Sequence, residues 1–152
     1  MRVPHKVQCL NWFILLDRLP TLQMLSMRGV PLLEIECKWC GTGMDALDHI
    51  FLHCEVARRV WELCFQWWHL EVVFSQSIGD LLWQCFHGFF TSIEREWWLA
   101  CCAALVRSLW LARNALMFKG NRFSIREIFF QVRIRSLFWI RAFRESDVIE
   151  EL

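Results

Sequence analysis

Between residues 37 and 54 the sequence sets Cys37, Cys40, His49 and Cys54 at the spacing C-x2-C-x8-H-x4-C, which requires four soft metal donors to be considered together. A two-residue spacer lets one tight turn aim both thiols of Cys37 and Cys40 at a single point, and Gly41 and Gly43 give the chain freedom to leave that turn. Three thiolates and an imidazole complete a tetrahedral zinc shell with no position left for water, the arrangement of a structural rather than a catalytic ion. His49 and Cys54 would lie about 140° apart on one straight helix, so their convergence requires a break, expected near Leu52 to Cys54. A helix starting near Cys54 would favour its thiolate through free N–H groups and the helix dipole. The spacing alone also admits ordinary thiols beside a stray histidine. His53 is a competing ligand, although it would put two adjacent residues on one ion.

The other five cysteines, Cys9, Cys64, Cys85, Cys101 and Cys102, fall within apolar helical patterns and read as buried, reduced thiols rather than a disulfide framework. Helical periodicity dominates elsewhere too. Pro4 can open a first helix that Leu19-Pro20 closes, and Thr21 can cap a short second one that Gly29 ends. Val56 or Ala57, Val60, Trp61, Cys64, Phe65 and Trp68 recur at three- and four-residue intervals and draw an apolar stripe. Ser77-Ile78-Gly79-Asp80, Thr91-Ser92-Ile93-Glu94 and Ser124-Ile125-Arg126-Glu127 are start signals for three further helices. The second of these opens a segment apolar around nearly its whole circumference, stopped by Lys119-Gly120, which is the expected core helix. The last opens a helix with Ile125, Ile128, Phe129, Val132, Trp139 and Phe143 on one face. The expected fold is mainly α, a single helical domain with a small zinc-binding loop; 1–70 form the zinc-binding part and 71–152 a helical connecting region.

Charge and aromatic content bear on partners. The formal net charge is only +1, yet 104–144 hold nine basic residues against Glu127 alone. On the last helix Arg126, Arg133, Arg141 and Arg144 fall within roughly an 80° sector, so that face either tracks the phosphates of RNA or single-stranded DNA or is simply solvated. With 10 Trp, 13 Phe and 56% hydrophobic residues, the chain has more apolar surface than a lone domain readily covers. The adjacent pairs Trp67-Trp68 and Trp97-Trp98 point to different helix faces, which favours a protein-interaction or structural role as the alternative. Arg107 and Arg113 interrupt the most apolar stretch and the first 30 residues lack a secretory pattern, so no membrane association and a nuclear or cytoplasmic location are expected.

The string Pro4, Lys6-Val7, Trp12, Asp17-Arg18-Leu19-Pro20-Thr21, Leu25, Arg28-Gly29, Cys37, Cys40-Gly41, Asp48-His49-Ile50-Phe51, Cys54 and Val60-Trp61 resembles the reverse-transcriptase zinc-binding domain of plant LINE-type retroelements. The resemblance covers about the first 65 residues. Leu109-Trp110, Ala112-Arg113-Asn114 and Phe118 are similar to the connecting region that follows in those polyproteins. It implies that Cys37, Cys40, His49 and Cys54 are the metal ligands, that the cofactor is zinc, and that a reverse transcriptase body is a candidate partner. Asp45-Ala46 departs from a usual Glu followed by Ser or Thr, and Glu55 stands where Pro is common.

No catalytic residues are assigned and no enzyme activity is expected. The sequence shows no paired-aspartate polymerase motif, no carboxylate cluster legible as ribonuclease H, no glycine-rich phosphate loop and no Ser/His/Asp signature. Asp45 and Asp48 flank the donor set, where acids more often cap a helix or orient a histidine than act as a base.

Overall fold

The computed structural model describes residues 3–71, 74–87 and 91–150, with the backbone alone for 147–150. Among the described residues it contains six α-helices and no strand beyond a single antiparallel bridge between Glu36 and Met44. Most helices begin where the sequence supplies a partner for their first free N–H groups. Pro4 stands just before α1, His5–Leu15. The Thr21 hydroxyl accepts from the Met24 N–H at 3.2 Å and opens α2, Leu22–Met27, which Gly29 terminates at φ 84°.

α3 spans Glu55–Trp67 and buries Ala57, Val60, Trp61, Cys64 and Phe65, the stripe drawn by its periodicity. α4, Ile78–Phe86, starts at Ser77, whose hydroxyl accepts from the Asp80 N–H at 3.0 Å. α5, Ser92–Lys119, opens on a reciprocal capping box between Thr91 and Glu94 and ends at Gly120 in the left-handed region, φ 66°. α6, Ile125–Glu150, is preceded by a second box, in which Ser124 N–H donates to Glu127 at 2.6 Å and Glu127 N–H donates to Ser124 Oγ at 3.2 Å.

α5 is the axis of the fold. It packs against α6 most extensively and also against α1, α3, α4 and the turn at 49–53. The run Ala100, Cys101, Cys102, Ala103, Ala104 keeps its surface narrow enough for neighbours to approach from several sides, and all five are buried. By length and composition alone α5 is apolar enough to cross a membrane, but two thirds of its most apolar window is covered by protein. Burial keeps the Cys64 and Cys102 thiols protonated, with pKa values well above the ordinary one.

The adjacent tryptophans find cover that periodicity alone did not reveal. Trp98 is buried and stands edge-on to Trp68 at 5.5 Å, while Trp67 meets Phe129 of α6 edge-on at 6.2 Å. The exposed large rings lie elsewhere, at Trp12, Phe13, Trp83, Phe118, Phe123, Phe130 and Phe138.

Candidate metal centre

Three short pieces of chain bring the four donors together. The first is a hairpin-like loop in which Cys37 N–H donates to the Gly43 carbonyl at 2.6 Å and Gly41 N–H donates to the Cys37 carbonyl at 2.8 Å. This closes the turn that carries Cys37 and Cys40. Gly41 sits at φ 68°, as a sharp exit from the turn requires. Gly43 serves a different need from the one expected: it lies outside the left-handed region, and a Cβ built on it would press into the His49 ring, 2.8 Å from Nε2. The imidazole occupies the space that any side chain at 43 would fill.

The second piece is a π turn over His49–His53, and the third is the start of α3. The expected break is therefore a widened turn followed by a change of direction. Cys54 N–H donates to the His49 carbonyl at 2.7 Å, an i to i+5 bond, and Cys54 itself is extended at φ −59°, ψ 137°. One turn of π geometry brings residues five apart close in angle, which solves the divergence an α-helix would impose.

The donor atoms of Cys37, Cys40, His49 and Cys54 all lie within 4.8 Å of one another. Cys37 Sγ and Cys54 Sγ are 3.9 Å apart, and Cys40 Sγ lies 3.2 Å from His49 Nε2. A zinc tetrahedron with Zn–S of about 2.3 Å has S···S edges of about 3.8 Å and S···N edges of about 3.6 Å, so the donor set fits such an ion with only small adjustments. His53, the competing ligand, points away: its Nε2 is 2.7 Å from the Gln76 carbonyl oxygen.

Electrostatics divide the thiols. The Cys54 thiol and the N–H groups of Cys40 and Trp39 hold the Cys37 pKa down to about 5, against a smaller opposing effect of burial. For Cys40, burial opposes ionisation, but the Thr42 hydroxyl and the N–H groups of Thr42 and Gly43 outweigh it and the pKa is lowered. Cys54 is raised, first by its partnership with Cys37 and then by burial; the Val56 N–H at the start of α3 acts in the direction expected of a helix terminus but is outweighed. Backbone N–H groups aimed at sulfur are a preparation for thiolate ligands.

Residues outside the donor set hold the loop in place. Asp45 is buried, receives the Leu22 N–H at 2.8 Å, and forms a two-point ion pair with Arg113 of α5, Nε to Oδ2 at 3.0 Å. Asp48 supports the start of α4 by accepting the Ile78 N–H at 2.8 Å. Arg122, between α5 and α6, donates to the Lys38 and Trp39 carbonyls at 2.9 and 3.2 Å, inside the Cys37-to-Cys40 turn itself. Trp61 Nε1 donates to the Phe51 carbonyl at 2.8 Å and fixes the π turn on α3. Asp45 and Asp48 were legible as flanking acids, but nothing local in sequence marked Arg113 or Arg122 as their counterparts or as supports.

The four arginines of α6 are not brought into one free row. Arg133 lies over the rings of Trp67 and Phe129, Arg144 lies over Trp97, and Arg141 pairs with Glu145 at 2.9 Å. Arg126 is exposed at the beginning of the helix.

A closed Cys3His cluster carried by a loop, a π turn and a helix start defines a small zinc-binding module within a helical chain. The family described as zinc-binding in reverse transcriptase matches residues 1–61, a segment that takes in all four donors and the first half of α3. Comparison with curated proteins and with solved structures gave no match.

Proposed function

We propose that Cys37, Cys40, His49 and Cys54 hold one zinc ion whose role is structural, locking the 35–54 loop onto α5 so that the module presents a fixed surface. The convergence of the four donor atoms within 4.8 Å carries this reading. Four protein donors fill a tetrahedron and leave no place for a water or substrate, so the reading includes no catalytic role for the ion. The loop otherwise has little regular structure, and the free energy of metal binding is the natural source of its order. Metal analysis of the purified, reduced protein should return one zinc per chain. Chelation should release it and raise amide exchange over 35–54 before the helices melt; a protein that keeps the same protection in that loop without metal would overturn the reading.

A second component of the reading is weak, sequence-independent contact with RNA or single-stranded DNA through Arg126, Arg133 and Arg144. It is favoured by their exposure on one flank of α6, with Arg133 and Arg144 beside the rings of Trp67, Phe129 and Trp97. A guanidinium lying on a ring keeps its outer N–H groups available for phosphate.

A further inference from the structure

α5 and α6 do not close on each other along their whole length. Ser108, Leu111, Ala112 and Ala115 occupy the i, i+3, i+4 and i+7 positions of α5, and their mostly short side chains leave an open groove of about 700 Å3 against α6. Phe123 and Phe130 flank it, 42% and 56% exposed, and the apolar ridge continues along α6 through Ile134 and Phe138, 49% and 67% exposed. An apolar surface this continuous on an exposed face is a mark of an interaction site.

The charge at the groove is one-sided. Arg135 is half-buried, and its described bond is from Nη1 to the Ser108 hydroxyl at 2.7 Å. Burial and the nearby Arg107 both act against its charge, and neither arginine has a carboxylate partner among the described residues. Arg126 adds a further cation at the rim. Glu127, the acid of the groove, is already engaged by the Ser124 N–H in the cap of α6. A cation taken halfway out of water without a counter-ion is unfavourable unless something brings one.

We propose that this groove is the docking site for an amphipathic helix of another protein, one that lays its apolar face on Leu111, Phe123 and Phe130 and sets acidic side chains from its flank against Arg135, Arg107 and Arg126. The small residues of α5 allow a helix to approach closely, and the stretch from Ser108 to Ala115 is about 10 Å, roughly two turns of such a helix. A phosphate backbone would satisfy the arginines but cover little of the apolar floor. A second copy would bring the ridge of its own α6 with Arg126, Arg133 and Arg144 alongside, placing like charges together.

The test is fluorescence anisotropy on the zinc-loaded full chain with a panel of labelled helical peptides that share one Leu face and differ only in carrying Glu, Gln or Lys on the flank. Glu-flanked peptides should bind, Gln-flanked ones more weakly, and Lys-flanked ones not at all. Ala115→Trp fills the groove and Phe130→Asp charges its exposed wall, and each should abolish binding; the second alters a side chain that contributes little to the core. Arg135→Gln should weaken binding about tenfold, whereas Arg133→Gln, on the other flank of α6, should leave it unchanged. Absence of binding by every Glu-flanked peptide, indifference to flank charge, or full binding by Phe130→Asp would overturn the proposal. So would displacement of the peptide by single-stranded RNA that itself binds at Arg135, or a homodimer in sedimentation that Phe130→Asp dissolves.

Discussion

The Arg113 guanidinium grips the Asp45 carboxylate at two points although the two residues are 68 positions apart in sequence. Both side chains are almost wholly buried, and the same arginine donates to Asn114 Oδ1 at 2.9 Å and lies 5.0 Å from the Trp110 ring. Trp110 in turn stacks on Phe51 in the π turn that carries His49. The donor loop is therefore fastened to α5 by charge on one side and by ring contact on the other, and residues beyond the matched segment help to position it.

Removing one member of this pair should cost more than removing both. Asp45→Asn keeps an acceptor for the Leu22 N–H but leaves the Arg113 charge buried without its counter-ion, an expected loss of about 3–5 kcal/mol. Replacing both, as Asp45→Asn with Arg113→Met, should recover part of that loss because no charge remains stranded. Denaturant unfolding of the metal-loaded proteins checks this; additive losses would show that the pair does not act as a unit.

Two glycine substitutions should separate space from conformation. Gly43→Ala places a methyl group against the His49 imidazole and displaces a donor, so zinc affinity in a competition titration should fall about 10–100-fold. Gly79→Ala in α4 meets nothing closer than the Ser77 hydroxyl at 3.8 Å, and should leave metal binding alone while stabilising the protein by about 0.5–1 kcal/mol. Equal metal affinity in the Gly43→Ala protein would mean that His49 can move without cost.

What was legible in the sequence was what is local. Thr21, Ser77, Thr91 and Ser124 announced four helix starts because a cap is made within three residues, and each of these hydroxyls accepts the bond expected of it. The Cys37-to-Cys54 spacing raises the same four residues as candidates while leaving ordinary thiols and His53 open; the family resemblance implies the ligand set, and the structure brings those four donors together. The π turn was visible only as a conflict, since spacing shows that an α-helix cannot serve but not which distortion replaces it. Arg113 with Asp45 and Arg122 with the carbonyls of Lys38 and Trp39 could not be read at all, because periodicity carries no information about contacts 68 to 84 residues apart. The tryptophan pairs show the same blindness: the ring that covers Trp67 comes from α6.

The basic face of α6 gives the riskiest expectation, and the surroundings of each arginine decide which should matter. Arg141 already pairs with Glu145, so its release of a counterion on binding phosphate is partly cancelled. Arg126 has no ring or acid partner among the described residues, and Arg133 rests on two rings that hold it in place without neutralising it. If the face tracks phosphates, Arg126→Gln with Arg133→Gln should lower the magnitude of the salt slope for single-stranded RNA by up to about two units, and Arg141→Gln by clearly less than one. Zinc content and helicity should stay unchanged in both proteins, since none of these side chains belongs to the donor cluster. The measurement is binding affinity across a salt series with RNA and single-stranded DNA of mixed sequence, for which little base preference is expected. Unchanged affinity and slope in the Arg126 and Arg133 double variant would make this face of α6 solvated surface.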